Sequence, residues 1–433
     1  MPAGHRQGSL SAYWQRYRLA KRVVTRPLLH RDAHDAGPLS GICPVRAYHV
    51  QVADFDPGSW VVKGIDRHGG RGHQSPANGY IRDGSSMTAS VSPVSTEDRA
   101  APGDWGRIPV KRPVSTVSAI VVTYWTGPAL AECLNALAAD PALSEIIIVN
   151  NGNDRDTLAW LERYCRSHHQ FRLLDPGRNT GFAVGCNYGV ASATGDFIAL
   201  VNPDLIVPPG AIAQFLDVFE RDDGIWLCGG RLEHPDGTEQ RGGRRDILSP
   251  WRAFVELARL DRLFPRHPYF RRLHLHEGDG VGTPCEVPTV SGAFMIMPRR
   301  VYQRLGGMDD NMFMHFEDAD LCIRIRQHGG KVFYCGNIPV SHHLSTSDVS
   351  RLFVEWHKTR STAYYFFKHF TQTYPHWLIL LVSVLLHVRL ALLAPHLLIR
   401  DIPGILRRFR HGRRGTHTLP AAVPERLSKP TSA

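Results

Sequence analysis

Eight cysteines (Cys43, Cys133, Cys165, Cys186, Cys228, Cys285, Cys322 and Cys335) are scattered through the 433 residues without one C-x-x-C pair. Neither a zinc knuckle nor a disulfide framework is therefore indicated, and a reducing compartment is the simpler expectation. Behind the basic N-terminal residues there is no apolar run of the kind a secretory signal needs, so none is expected. The glycines never fall into G-x-G-x-x-G, which excludes a dinucleotide fingerprint, and no internal repeat is evident. Acids are also in short supply: 51 Lys and Arg face 40 Asp and Glu, a surplus of +11 that suits an acidic partner without choosing one. What is present is 43% apolar and 21% charged sequence, enough for a sizeable globular core.

The apolar pattern is unevenly placed. Residues 1–115 are rich in Gly, Pro, Ser, Arg and His and read as a low-complexity, disordered arm. From Val117 the pattern changes: VSAIVVTY is a buried strand, Leu130, Cys133, Leu134 and Leu137 mark a helical face, and SEIIIVNN is a second strand. A helix near Asp156 to His168, the strand FRLL, a helix opened by NTGF, the strand DFIALVN and a helix after Pro208-Pro209 continue the alternation. The fold class is therefore α/β, a mostly parallel Rossmann-like sheet with helices on both faces. After about Arg231 the pattern becomes mixed, with KVFYC and NIPVSHH as two short strands and a helix between Ser347 and Gln372.

Ligands of such sheets gather at the carboxyl ends of the strands. The residues to watch are therefore Thr123 and Tyr124, Asn150 and Asn151, and Asn202-Pro203-Asp204. Asp204 is a lone carboxylate of the kind a phosphate-bridging divalent cation needs, although a turn Asp capping the next helix has the same look. Gly181, Gly185, Gly189 and Ala193 leave one helix stripe almost bare, which suits close packing for the last two. Arg178, Asn179 and the helix N-terminus beside them suit a diphosphate or sugar. His342 and His343 follow a strand and are candidate metal ligands, with a structural role equally open. In MHFEDADLCIR, Glu317, Asp318 and Asp320 crowd the start of a helix, where acids also simply favour the dipole.

VVTYWTG, IIIVNNGN, NTGFAVGCNYG, LVNPD, the long run from VSGAFMIMPRR to KVFYC, and VSHH stand in an order and spacing that resembles the family-two inverting glycosyltransferases, most closely their rhamnosyltransferase-like branch. The resemblance covers about Ser118 to Gln372 and implies a GT-A fold, a nucleotide-diphosphate sugar donor and a divalent cation, Mg2+ or Mn2+. It implies that Thr123, Tyr124, Asn150 and Asn151 border the base and ribose, that Arg178, Asn179, Gly181, Asn187 and Asn202 complete the donor side, and that Asp204 with His342 holds the metal, His343 being second choice. Two departures stand out: Asn150 and Asn202 occupy positions where the family commonly has Asp. Inverting transfer needs a carboxylate facing the acceptor hydroxyl; Asp318 is the expected general base, Glu317 the alternate, and Asp320 is expected to be structural through Arg324. The favoured donor is dTDP-rhamnose, the alternative a UDP- or GDP-sugar, and the acceptor a cell-surface glycan or lipid-linked glycan. A nucleotidyltransferase or nucleic-acid-binding protein is less well matched, and no nucleic-acid partner is expected.

On this reading residues 116–372 form the catalytic domain, with a nucleotide-sugar half (116–231) and an acceptor half (232–347). Residues 373–414 hold an apolar helix and a basic segment, and 415–433 a disordered tail. WLILLVSVLLHVRLALLAPHLLIR carries His387 and Arg389 and is expected to be interrupted at Pro395. Followed by RRFRHGRRG, it reads as a segment associating with an anionic membrane surface, alternatively as a helix packed on the domain. A cytoplasmic enzyme, peripheral at the inner face of the cell membrane, is the expected localisation.

Overall fold

Every one of the seven residues Val117–Thr123 (β1) is buried, as the β-branched run requires. The computed structural model describes residues 115–260, 282–344, 347 and 349–411, with side chains to residue 402. The expected N-terminal arm, most of the Arg/His-rich stretch near 260–276 and the expected disordered tail lie outside the described residues. The chain continues through α1 (Ala129–Ala138), β2 (Leu143–Asn150), α2 (Arg155–Ser167), β3 (Phe171–Leu174), α3 (Phe182–Ala191), β4 (Phe197–Val201), β5 (Leu205–Ile206) and α4 (Ala211–Phe219). Then follow β6 (Ile225–Glu233), β7 (Arg244–Arg245), α5 (Pro250–Leu257), β8 (Pro284–Glu286), β9 (Thr289–Val290), β10 (Phe294–Pro298), α6 (Arg299–Arg304) and α7 (Glu317–Gln327). A long strand β11 (Lys331–His342) and two helices, α8 (Arg351–His369) and α9 (His376–His411), complete the described fold.

Local chemistry starts several of these helices. Asp154 accepts the Thr157 N–H at 2.7 Å ahead of α2, and Ser249, with Pro250 in the first turn, accepts the Arg252 N–H at 3.3 Å ahead of α5. Strand residues then divide between two cores. Val117, Ala119 and Val121 join the side covered by α1, α2 and α4, whereas Ile120 and Val122 join the side covered by α3, α6 and α7. Gly185 of α3 lies so near β1 that a Cβ would stand 2.7 Å from Val122. The bare stripe is thus helix-to-strand packing along most of its length.

One sheet has the order β3-β2-β1-β4-β10-β6-β11-β5, with β8 added on β11. Strands β3, β2, β1 and β4 are parallel neighbours, and β11 runs parallel to β6. Between them β10 is antiparallel to both β4 and β6. The carboxyl ends of β1, β2, β4, β6 and β11 therefore share one edge with the amino end of β10. That edge is where the polar residues converge.

Two expectations change. KVFYC and NIPVSHH are one strand, β11, because a register shift between Cys335 and Pro339 absorbs the irregular residues without ending the pairing with β6. Nor does Pro395 interrupt α9, which runs through it. The helix is fixed to α8 on both sides of the proline: Arg389 donates to Glu355 at 3.1 Å, and Asp401 accepts from Ser350 Oγ at 2.6 Å and from the Arg351 N–H at 3.1 Å. Tyr365 and Phe366 of α8 and Ile379 and Val382 of α9 also close a third core over Ala319 and Ile323 of α7.

Candidate active site

At the ends of β1 and β2 the sequence supplies amides, and they bind mainly one another. Asn153 donates its Nδ2 to the Thr123 carbonyl at 3.0 Å and to Asn150 Oδ1 at 2.8 Å. Its own Oδ1 accepts the Trp125 N–H at 2.6 Å. Asn151 is saturated: Oδ1 accepts from Thr180 N–H and Oγ1, both at 2.9 Å, and Nδ2 donates to Asn179 Oδ1 at 3.1 Å and the Gly181 carbonyl at 3.2 Å. These bonds tie the β2 turn to the loop ahead of α3.

This geometry sorts the expected donor residues into two groups. Tyr124, Asn179 and Asn202 are half-buried and Arg178 is exposed, all close to the sheet edge. Thr123, Asn150, Asn151, Gly181 and Asn187 are engaged within the protein, where they build the wall of this edge. Thr123 is fully buried, its hydroxyl 3.2 Å from that of Thr126. Asn150 Oδ1 accepts twice from Asn153, from its N–H at 3.2 Å and its Nδ2 at 2.8 Å. Gly181 (φ 89°) sits against the Phe313 backbone, and the first N–H of α3, on Phe182, donates to the Phe313 carbonyl at 2.7 Å. The helix end expected to meet a diphosphate is therefore covered. Asn187 donates to the Met308 carbonyl and to Asp310 at 2.8 and 2.6 Å and accepts from Met308 N–H and Tyr302, clamping the loop after α6.

Asp204 and His342 meet across the pairing of β5 with β11, where His342 stands opposite Leu205. Asp204 Oδ1 lies 3.3 Å from His342 Nε2, and both side chains are buried. Gln240 grips the histidine twice, accepting from Nδ1 at 2.9 Å and donating to its carbonyl at 2.7 Å. That grip on Nδ1 orients the ring so that Nε2 faces Asp204. A hard carboxylate oxygen and an imidazole nitrogen suit a divalent cation that takes its remaining ligands from a diphosphate and water. Among the described residues no cluster of three or more His, Cys, Asp or Glu could hold an ion, so this corner is a pair. His343 turns away, toward Glu132 at 3.4 Å.

The three acids of α7 occupy three different environments. Just before them His315 (φ 63°) and Phe316 (φ 71°) both adopt the left-handed conformation, a local strain that turns the chain sharply into the helix. Asp320 is fully buried and bonds Arg324 Nε at 2.8 Å, His369 at 2.7 Å and Lys368 at 2.6 Å. Despite burial, these partners hold its carboxyl far below the usual range. Glu317 is buried with Oε2 unpartnered. Burial first, and then the charge of Asp318, push its proton affinity up to about 8. Asp318 is paired with Arg245 and accepts the Gly292 N–H at 2.9 Å and the Ala319 N–H at 2.7 Å.

Gly292 joins the two halves of the site. Its neighbour Ala293 accepts the Asn202 N–H at 2.8 Å, and Asn202 lies two residues before Asp204. The metal corner and Asp318 thus flank one junction between β4 and β10. Arg245, Gln240 and Asn153 were not singled out by sequence reading. Their partners lie up to 102 residues away, and the only sequence signal was the basic run RGGRRD that contains Arg245.

Residues 118–306 match the model of glycosyl transferase family 2. The N-acetylglucosaminyl-diphospho-decaprenol L-rhamnosyltransferase of Mycobacterium tuberculosis is 27% identical over 256 residues, which cover 53% of this chain and 76% of that protein. Rhamnosyltransferase WbbL of Escherichia coli is 25% identical over 250 residues, covering 55% and 88%. A mannosyltransferase of Pyrobaculum calidifontis, solved with GDP-Man and Mn2+, aligns over 69% of this chain and 76% of its own at 15% identity, with a TM-score of 0.41.

Proposed function

We propose, for a chain that belongs to glycosyl transferase family 2 through residues 118–306 and is a glycosyltransferase, that it moves L-rhamnose from dTDP-rhamnose, with inversion, onto a lipid-linked or cell-surface glycan. The observation that carries the reading is the junction at Gly292. It brings Asp318 to the same sheet edge as Asp204 and His342, where an acceptor hydroxyl and a donor diphosphate would lie side by side. The rhamnose assignment is supported by the two relatives whose names specify rhamnosyltransfer.

Asp204 and His342 would hold a divalent cation, which when bound neutralises the donor diphosphate and stabilises it as a leaving group. Tyr124, Arg178, Asn179 and Asn202 would line the donor. Asp318 takes the proton of the acceptor hydroxyl while that oxygen bonds to the anomeric carbon. The anomeric bond to the diphosphate breaks and its electron pair leaves with the nucleotide. Burial and the charge of Asp318 raise the proton affinity of Glu317, whereas Asp318 is the carboxyl held by an ion pair, with Arg245, and is assigned as the base of the pair.

Helix α9 would rest on an anionic membrane, where a lipid-linked acceptor is found. His376–Ile402 is long and apolar enough to cross a membrane by length and composition, and Trp377, Leu392 and Ile399 are exposed. Two of its charged residues, Arg389 and Asp401, are bonded to α8, which favours a helix lying on the surface beside α8. Retained sedimentation of a chain ending at residue 375 with phosphatidylglycerol vesicles would remove this part.

The principal test is a panel of dTDP-rhamnose and UDP- and GDP-sugars with Mg2+ or Mn2+ and an N-acetylglucosaminyl-diphosphate lipid. Turnover of dTDP-rhamnose is expected, and Asp318→Asn should lower kcat by about 10²–10⁴-fold with donor binding intact. Turnover of a UDP- or GDP-sugar alone would replace rhamnose. An active Asn variant would move the base to Glu317.

A further inference from the structure

Of the charged groups near the reacting edge, Arg245 has no part in the reading so far, although it makes the ion pair with Asp318. It belongs to β7, a strand of two residues paired antiparallel with β9 outside the main sheet, Arg244 opposite Val290 and Arg245 opposite Thr289. Alternation along a strand sends neighbouring side chains to opposite faces. Arg244 accordingly turns to Glu239 at 3.2 Å and lies over the Tyr334 ring at 4.8 Å, and Arg245 turns the other way, to α7. Thr289 fixes its position by donating to the Arg245 carbonyl at 2.9 Å.

The partner strand reaches the same carboxylate. Beyond β9 the chain passes through Ser291, whose N–H donates to the Gly243 carbonyl at 3.0 Å, to Gly292, whose N–H donates to Asp318 Oδ2 at 2.9 Å. A Cβ on Gly292 would lie 3.1 Å from the Asp318 Cβ, tighter than most such contacts, so a larger residue here would press on Asp318. The two-stranded ribbon therefore grips one oxygen from two sides, with the Arg245 guanidinium and the Gly292 amide both on Oδ2. Oδ1 accepts only the Ala319 N–H. A carboxylate offers about four lone-pair sites, and after these three bonds the one left among the described residues is on Oδ1.

We propose that Arg245 is a positioning residue: with Gly292 it locks Asp318 by Oδ2, so that Oδ1 alone faces the acceptor and receives its proton. This rests on the reading of Asp318 as the base. The lock fixes the carboxylate plane before substrate arrives, and a small rotation of that plane would take Oδ1 out of line with the hydroxyl. The other titratable groups that sense the charge of Asp318 are Glu317 and Cys322 on α7, His315 on the preceding loop and Tyr365 on α8, and none of them is a fixed cation.

The test uses the full chain and the donor turned over best in the panel above. Arg245→Gln should lower kcat by about 10–100-fold while the donor KM stays within about twofold, and should move the acid limb of the kcat profile to higher pH, because the fixed cation is gone. Arg245→Lys restores the charge without the fork; it should return the limb toward its original pH while kcat stays depressed. If Arg245→Gln does not fold, Arg245→Lys carries the comparison, with donor binding as the check on folding. Parental kcat and an unmoved limb in the Arg245 variants, alongside an inactive Asp318→Asn, would overturn the positioning role and leave the base in place. An active Asp318→Asn would instead overturn the reading beneath it.

Discussion

The two sides of the reacting edge are built from different materials. Around the β1 and β2 ends, neutral amides hold neutral amides: Asn150, Asn151, Asn153 and Asn179 exchange hydrogen bonds among themselves and with the backbone, without an ion pair. At the start of α7, three carboxyl groups are buried within four positions, one with four ionic or charged-donor contacts, one in a single ion pair and one with an unpartnered oxygen. Amides lose comparatively little when dehydrated and their network is a rigid mould; buried charges cost far more and persist only where partners are supplied. The β1 and β2 ends are thus shaped by geometry and the start of α7 by electrostatics. Neighbours in one helix turn can be given opposite protonation states in this way.

That contrast can be broken at several points. Asp320→Ala leaves Arg324, Lys368 and His369 facing one another in a buried place, and a loss of about 3–5 kcal/mol is expected by urea unfolding. Since its partners depress the Asp320 carboxyl, its stabilisation in the parent is fully present above the ordinary carboxylate range and is lost as pH falls. Glu317 works in the opposite direction. With a proton affinity held up to about 8 against an ordinary 4.5, the folded chain carries one more proton than the unfolded chain between those values, and stability falls as pH rises through them. Glu317→Gln, which cannot ionise, should flatten that part of the curve and gain on the parent toward pH 8; parallel melting curves across this range would refute the assignment of a neutral Glu317.

On the amide side the effects are smaller. Asn151→Ala removes four hydrogen bonds and leaves the Thr180 N–H and the Gly181 carbonyl without that partner, at about 1–3 kcal/mol, with donor affinity weakened more than kcat. An unchanged donor Kd would show that the loop ahead of α3 does not shape the donor side. The smallest effect belongs to Arg389→Ala, whose pair with Glu355 is partly exposed and should contribute no more than about 1 kcal/mol.

The same contrast explains what could be read from the chain. β1, β4 and α2 follow from local pattern because a strand buried on both faces must be apolar throughout and a helix needs its cap, as Asp154 provides. Asp320 with Arg324 was legible from its four-residue spacing. The continuity of β11 was not, because a register shift across Cys335 to Pro339 looks like a break until β6 is seen beside it. Nor were the internal bonds of Asn151 and Asn187, because a free amide and a saturated one have the same letter.

By itself, then, the order of residues determined the alternating sheet, the burial of its strands and the gathering of Asn202, Asp204, His342, Glu317 and Asp318 into candidate positions, since periodicity and strand ends are local properties of a chain. Only the tertiary structure decided that Glu317 and Asp320, in one helix turn, are shifted in opposite directions, and that Arg245 pairs with Asp318 from 73 residues away. Charge state depends on which groups replace water around a carboxyl, and those groups arrive from other strands and helices.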